Sequence, residues 1–235
     1  MWSDTVTTYE RPSQSTGDIV HASVKAALSL VPVVGGPAAE LFALVMAAPL
    51  ARRRDEWVES IASGLRELEQ RVEGFHPESL AENESFITSA VRATQAAMRT
   101  HEDEKLRALR NATLNAALAN APETSIQEMY VRFVDELTTW HIRVLKILDD
   151  PAVWAQMHGV PLPNLSIGAP ATVLESLVSE LRNRRDFYDL LVRDLHARSL
   201  LTTDSLHGTM TGSGAIARRS TDFGRSFLQF ISEPR

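Results

Sequence analysis

Lys25-AALSLVPVVGGPAAELFALVMAAPLA-Arg52-Arg53-Arg54 is the stretch on which the rest of the chain is organised. Between its flanking cations lie 26 residues with one charge, Glu40. Pro32, the Gly35-Gly36-Pro37 break and Pro49 divide it. Asp18 is placed to cap a helix over about Ile19–Leu30, with Val20, Val24 and Leu28 on its apolar face. Two glycines release φ and two prolines remove donors, so the chain is expected to turn between Val31 and Pro37. Pro37 suits the first turn of a second helix, which Pro49 should bend or interrupt. The expectation is an apolar helical hairpin. Val33, Val34, Leu41, Phe42, Leu44 and Val45 are its candidate contact residues, and Arg52, Arg53 and Arg54 flank it. Neither arm has the roughly 20 unbroken apolar residues that a spanning helix needs. Two readings remain open. The hairpin is a buried core element, or it is exposed on activation and enters a membrane or a partner's groove.

Beyond Pro49 the pattern becomes amphipathic. Trp57, Ile61, Leu65, Leu68 and Val72 recur every three or four residues, and charged residues fill the rest. Gly74 is expected to end this helix. Asn83 or Ser85 opens the next run, which reads as one long helix or as two meeting near Thr100 and stops at Pro122. Thr124-Ser-Ile-Gln127 has the spacing of a capping box, and the helix it opens has a joint at Thr138-Thr139. Residues 150–170 read as a Pro/Gly loop, either with a short helix around Ala152–His158 or as a domain boundary. Short helices follow over 172–182 and 186–198, the latter with Asp186 as its cap and Leu190 in its core. Thr202–Ser220, rich in Thr, Ser and Gly, is expected to form a two-stranded ribbon turning at Gly212-Ser213-Gly214. Thr221–Ile231 is a closing helix.

The fold class is therefore all-α: a helical hairpin and bundle, then a winged-helix-like C-terminal part with a small β-ribbon. The expected division is a flexible arm over 1–17, an N-terminal bundle over 18–122 and the winged-helix-like part over 123–235. Abundant Ala and Leu with few aromatics favour helix over sheet.

The 235 residues include no cysteine, which excludes disulfides, thiolate metal sites and a cysteine nucleophile. The net charge of -6 argues against a global basic footprint for nucleic acid. The N-terminal residues lack the pattern of a signal peptide, so the protein is expected in the cytoplasm, with membrane association as the alternative.

Motifs for chemistry are weak. The seven histidines form no His-x-x-x-His pair, and His101 with Glu104 reads as part of a solvated charge run. Gly212-Ser213-Gly214 is not a nucleophile elbow. Gly35-Gly36 before a helix start offers N–H groups to an anion, but a plain turn explains it. Glu82, Glu84, Glu102 and Glu104 have no cleft to work in. The expectation is no enzyme activity and no cofactor. In winged-helix geometry, Arg182, Arg184, Arg185, Arg193 and Arg198 lie on or near a recognition helix, and Arg218, Arg219 and Arg225 near the wing; Arg184, Arg185, Arg193, Arg198, Arg218 and Arg219 are the candidate DNA contacts. Asp186, Asp189 and Asp194 share that helix and would repel phosphates. A domain used for packing or protein contact and one that binds DNA both stand.

Leu137-Thr-Thr-Trp-His-Ile-Arg-Val-Leu-Lys-Ile-Leu148 followed by Asp150-Pro151, Asp186-Phe-Tyr-Asp-Leu-Leu-Val-Arg-Asp-Leu195 and Thr221-Asp-Phe-Gly-Arg-Ser-Phe-Leu-Gln-Phe-Ile231 carry a family pattern. Over residues 120–232, and more loosely in the apolar hairpin, the chain resembles the abortive-infection alpha-like bacterial proteins. The resemblance implies an apolar N-terminal helical part, a helical C-terminal part ending in a Thr-x-x-Gly-x-x-Phe helix, and a role in phage defence or in limiting growth of an infected cell. It implies no catalytic residues. The expected function is a non-enzymatic interaction protein, with self-association or a protein partner, membrane contact on activation, and DNA-binding regulation as the alternative.

Overall fold

The computed structural model describes residues 37–234, without the side chains of 37–40 and 42–44. The helix expected over 19–30, the turn before Pro37 and the arm over 1–17 lie outside the described residues. So do Val33, Val34 and the side chains of Phe42 and Leu44.

Helix α1 runs Pro37–Arg71. Pro37 begins it, as expected, but Pro49 does not interrupt it. A mid-helix proline leaves the carbonyl four residues back without its donor. Here Val45 and Pro49 are both exposed, so no packed side chain has to accommodate the proline ring. The expected Trp57–Val72 helix is thus the second half of α1. The chain divides into two compact units at Glu56/Trp57, inside this helix. In the second unit α1 ends before Gly74, whose φ of +76° is a conformation that glycine adopts without strain.

A 3-10 turn, Pro77–Glu82, leads to α2, Glu84–Arg99. Asn83 caps α2 by accepting from the Phe86 N–H at 3.0 Å. Thr100 separates α2 from α3, Asp103–Ala116, so the long run is two helices. Next come α4, Thr124–Glu136, and α5, Thr139–Asp149, jointed where the paired threonines predict. The expected capping box at Thr124 does not form. Glu123 is the N-cap residue, Thr124 donates to Ser85 Oγ, and the buried Gln127 joins Ser89 and the Pro122 carbonyl. Tertiary partners take the polar atoms that the local motif would have used. The capping box of this region sits one helix later, at Thr138 and His141.

Helix α6, Pro151–His158, is capped by Asp150, which accepts from the Ala152 and Val153 N–H groups. Helix α7, Pro170–Leu177, a 3-10 turn, Ser179–Leu181, and α8, Arg185–Ala197, follow. Arg184, not Asp186, is the N-cap residue of α8, and Leu190 is exposed instead of buried.

The sheet is small and antiparallel, as the all-α class with a β-ribbon anticipates, but its pairing differs from a 202–220 hairpin. Strand β1, Ile167–Gly168, comes from the Pro/Gly segment and pairs with β2, Met210–Thr211. The glycines of Gly212-Ser213-Gly214 open the four-residue helix α9, Gly212–Ala215, capped by Thr211. An isolated bridge joins Leu201 and Ser220.

Helix α10, Asp222–Phe230, closes the unit. Its Thr-x-x-Gly-x-x-Phe sequence has a structural reason at each position. Thr221 Oγ1 accepts from the Gly224 N–H at 2.8 Å and donates to the Ser199 carbonyl. A Cβ on Gly224 would lie 2.2 Å from the Leu200 carbonyl oxygen, so only glycine allows this approach. Phe227 is fully buried beside Tyr130 and Phe133.

The core does not part at 122/123. Helices α2, α3 and α4 pack on one another, α10 packs on α3 and α5, and α5 packs on α8. Tyr130 of α4 meets Phe223, Phe227 and Phe230 at centroid distances of 5.1, 5.5 and 5.5 Å. Asn111 and Asn115 of α3 donate to the Ile231, Phe230 and Ser232 carbonyls, which a helix end leaves without partners.

Candidate functional site

Three regions hold the candidate residues. The first is the N-terminal half of α1. Leu41 and Val45, one turn apart on α1, are 63% and 60% exposed. Ala47, Ala48, Pro49 and Ala51 are exposed too. Their helical rise leaves Arg52, Arg53 and Arg54 as the next turn. Arg52 Nε stands 3.6 Å from Glu56 and Arg54 Nη2 3.1 Å from Asp55. Among the described residues no helix is long and apolar enough to cross a membrane.

The second region surrounds α8. Arg198 is held by Asp194 and lies 3.5 Å from Glu136. Arg185 pairs with Asp189 at 3.5 Å, and the Arg184 guanidinium lies 4.2 Å from the Phe187 ring centroid. Arg218 donates to the Asp149 carbonyl at 3.1 Å. Arg219 is buried and donates to the Ala215, Ala217 and Gly214 carbonyls. Burial pulls its guanidinium below its usual pKa. Arg193 alone of these six projects to solvent without an engaged partner among the described residues.

Beside α8, two polar clusters orient its flanks. His141 is buried, and its Nδ1 accepts from the Thr138 N–H at 3.1 Å. That fixes the neutral tautomer with its hydrogen on Nε2. Nε2 lies 3.2 Å from Asp194 Oδ2 but has no well-aligned hydrogen-bond partner. Burial therefore dominates and holds the His141 pKa below its ordinary value, against the opposing pull of Asp194. Tyr188 donates to Glu175 at 2.9 Å, and burial, then Glu175, push its phenol well above its usual pKa. His207 Nε2 sits 2.7 Å from Asp189, and its ring lies 5.9 Å from that of Tyr188.

The third region is a groove of about 1250 Å³ between α3, α5, α6 and α10. Val153, Trp154 and Met157 line it from α6, with Trp154 stacked on His158 at 3.8 Å. Arg107, Arg143, Lys146 and Arg225 line it from the other helices. Of these, sequence reasoning singled out Arg225 alone, as an arginine near the wing. The one local signal was Val153 and Met157, apolar residues at i, i+4 spacing on a short helix whose buried face is Pro151 and Ala155.

Among the described residues no group of three His, Asp or Glu side chains is arranged to hold an ion. His101 is exposed, and Glu104 pairs with Lys146 at 3.2 Å. Ser213 sits in the first turn of α9, where its hydroxyl is 3.2 Å from Thr211 Oγ1. Glu82, Glu84 and Glu102 are exposed. No family model, curated protein or solved structure matches the chain.

Proposed function

We propose that the chain is a non-enzymatic interaction protein whose apolar N-terminal segment engages an anionic membrane surface. One observation carries the reading: Leu41 and Val45 are exposed on a helical stretch in which Glu40 is the single charge between Pro37 and Ala51. A helix apolar on every side belongs in a core or in lipid. From Ala38 to Ala51 the stretch is about 21 Å long, short of the roughly 30 Å hydrocarbon layer. Shallow entry fits that length. Arg52–Arg54 would then meet the head groups, where each cation contributes about 1 kcal/mol.

The protein is taken to be cytoplasmic and to reach the membrane on activation. Resemblance to the abortive-infection alpha-like proteins supports a setting in phage defence or stress. The alternative of DNA binding through α8 rests on Arg193, since the other five arginines are engaged within the fold.

Flotation with phosphatidylglycerol vesicles tests the membrane reading. Wild-type protein is expected to rise with the vesicles, and the Leu41→Asp/Val45→Asp variant to stay behind. Both positions are exposed, so the variant keeps its fold. Wild-type protein that never floats, or a double variant that floats as well, overturns the reading.

A further inference from the structure

We propose, resting on the membrane reading of α1, that Asp55 and Glu56 set the selectivity of that site: they hold Arg52 and Arg54 in the free protein and confine engagement to strongly anionic lipid surfaces. Leu41, Val45, Arg52 and Glu56 share one face of α1. Arg52 follows Leu41 by eleven residues and Val45 by seven, close to three turns and two, and Glu56 is one turn further on. Read along this face, the helix is apolar, then cationic, then anionic.

The spacing brings both signs of charge to the same depth. With Val45 just below the head groups, Arg52 comes about 10 Å higher and Glu56 about 6 Å beyond it, at about 1.5 Å per residue. Electrostatic screening at physiological salt acts over about 8 Å. A surface that attracts Arg52 therefore also repels Glu56. The carboxylates already stand against the arginines. Arg52 Nε is 3.6 Å from Glu56, and Asp55 Oδ1 accepts from Arg54 Nε at 3.3 Å and from Nη2 at 3.1 Å. Both carboxylates are exposed. Pairs this exposed contribute little to the fold, so phosphates can take their place. Arginine binds phosphate in two-point geometry, which makes the exchange favourable where phosphates are dense. Residues 52–56 carry three arginines against two carboxylates, a net charge of +1. Without the carboxylates the same turn would present +3 and would engage sparsely charged surfaces as well.

The test uses the full chain and vesicles in which phosphatidylglycerol replaces phosphatidylcholine in steps. Wild-type protein is expected to float only where phosphatidylglycerol is abundant. Asp55→Asn/Glu56→Gln should float at a lower content and bind mixed vesicles about 25-fold more tightly, at about fivefold for each charge removed. Glu180→Gln/Asp204→Asn makes the same change of net charge at exposed positions outside α1 and should shift affinity by less than about twofold. Wild-type protein that floats with no vesicle overturns the membrane reading, and this selectivity with it. Wild-type protein that floats while Asp55→Asn/Glu56→Gln keeps the wild-type threshold overturns the selectivity alone. So does an equal shift in Glu180→Gln/Asp204→Asn, or wild-type protein that floats as well on pure phosphatidylcholine.

Discussion

Replacing His141 with alanine should destabilise the 57–234 unit by about 2–3 kcal/mol. About 1 kcal/mol comes from the Thr138 N–H, which loses its acceptor at a helix start. Another 1–2 kcal/mol comes from the cavity left by a side chain only 10% exposed. For a unit of this size that corresponds to a drop of about 5–10 °C in melting temperature. The pH dependence is more diagnostic than the loss. The unfolded imidazole titrates near 6.5, and burial lowers the folded value below it. Between the two values the unfolded chain binds more protons, so acid favours unfolding. The contribution of His141 is complete above pH 6.5 and is lost as pH falls toward the lowered folded value. Groups facing the ring act in both directions: Asp194 raises the pKa, whereas Arg198 and Lys105 lower it. Arg198 also holds Asp194, which leaves that carboxylate poorly placed to receive a proton from Nε2. Urea titrations of wild type and His141→Ala from pH 7.5 to 5 should therefore converge as acid is added. A gap that widens with acid would mean that the His141–Asp194 pair, not burial, governs the ring, and would refute the reasoning.

Gly224→Ala should cost about 3 kcal/mol or more, because the new methyl meets the Leu200 carbonyl at 2.2 Å and backbone must move; thermal melts read it directly. Asn115→Ala should cost about 1–2 kcal/mol, since the Phe230 and Ser232 carbonyls lose their shared donor, and Asn115→Asp should be no better because it has no N–H to give. A variant as stable as wild type in either series would remove the structural role assigned to that residue.

Helix class and most boundaries were legible in the sequence because their causes are local. Asn83 sits where its oxygen reaches an N–H three residues on, Gly74 supplies a left-handed residue, and Thr138-Thr139 breaks the 124–149 run. Features decided by distant partners were not legible. Thr124-x-x-Gln127 has the spacing of a cap, but Gln127 is taken by Ser89, 38 positions away. Strand β2 finds its partner in β1, across α7 and α8, so a hairpin read from neighbouring residues missed it. Pro49 was expected to bend or interrupt a helix, yet α1 runs through it, with Pro49 exposed. At the candidate sites, sequence identified arginines by type but not by occupancy. Arg219 and Arg193 look equivalent in the chain, whereas one is buried under three carbonyls and the other is free to solvent.

The hydrogen bonds from Asn111 and Asn115 to the end of α10 join residues 120 and 115 positions apart. Tyr130 waits on the next helix, α4, for its aromatic neighbours, which arrive 93 to 100 residues later. During synthesis, α2, α3 and α4 can assemble among themselves, but their shared face stays open to water until Phe230 has left the ribosome. At about 5–20 residues per second that exposure lasts several seconds. The closing helix therefore governs when the nascent chain ceases to be a target for chaperones, and substitutions in it should lower yield in cells more than their effect on the finished fold would suggest.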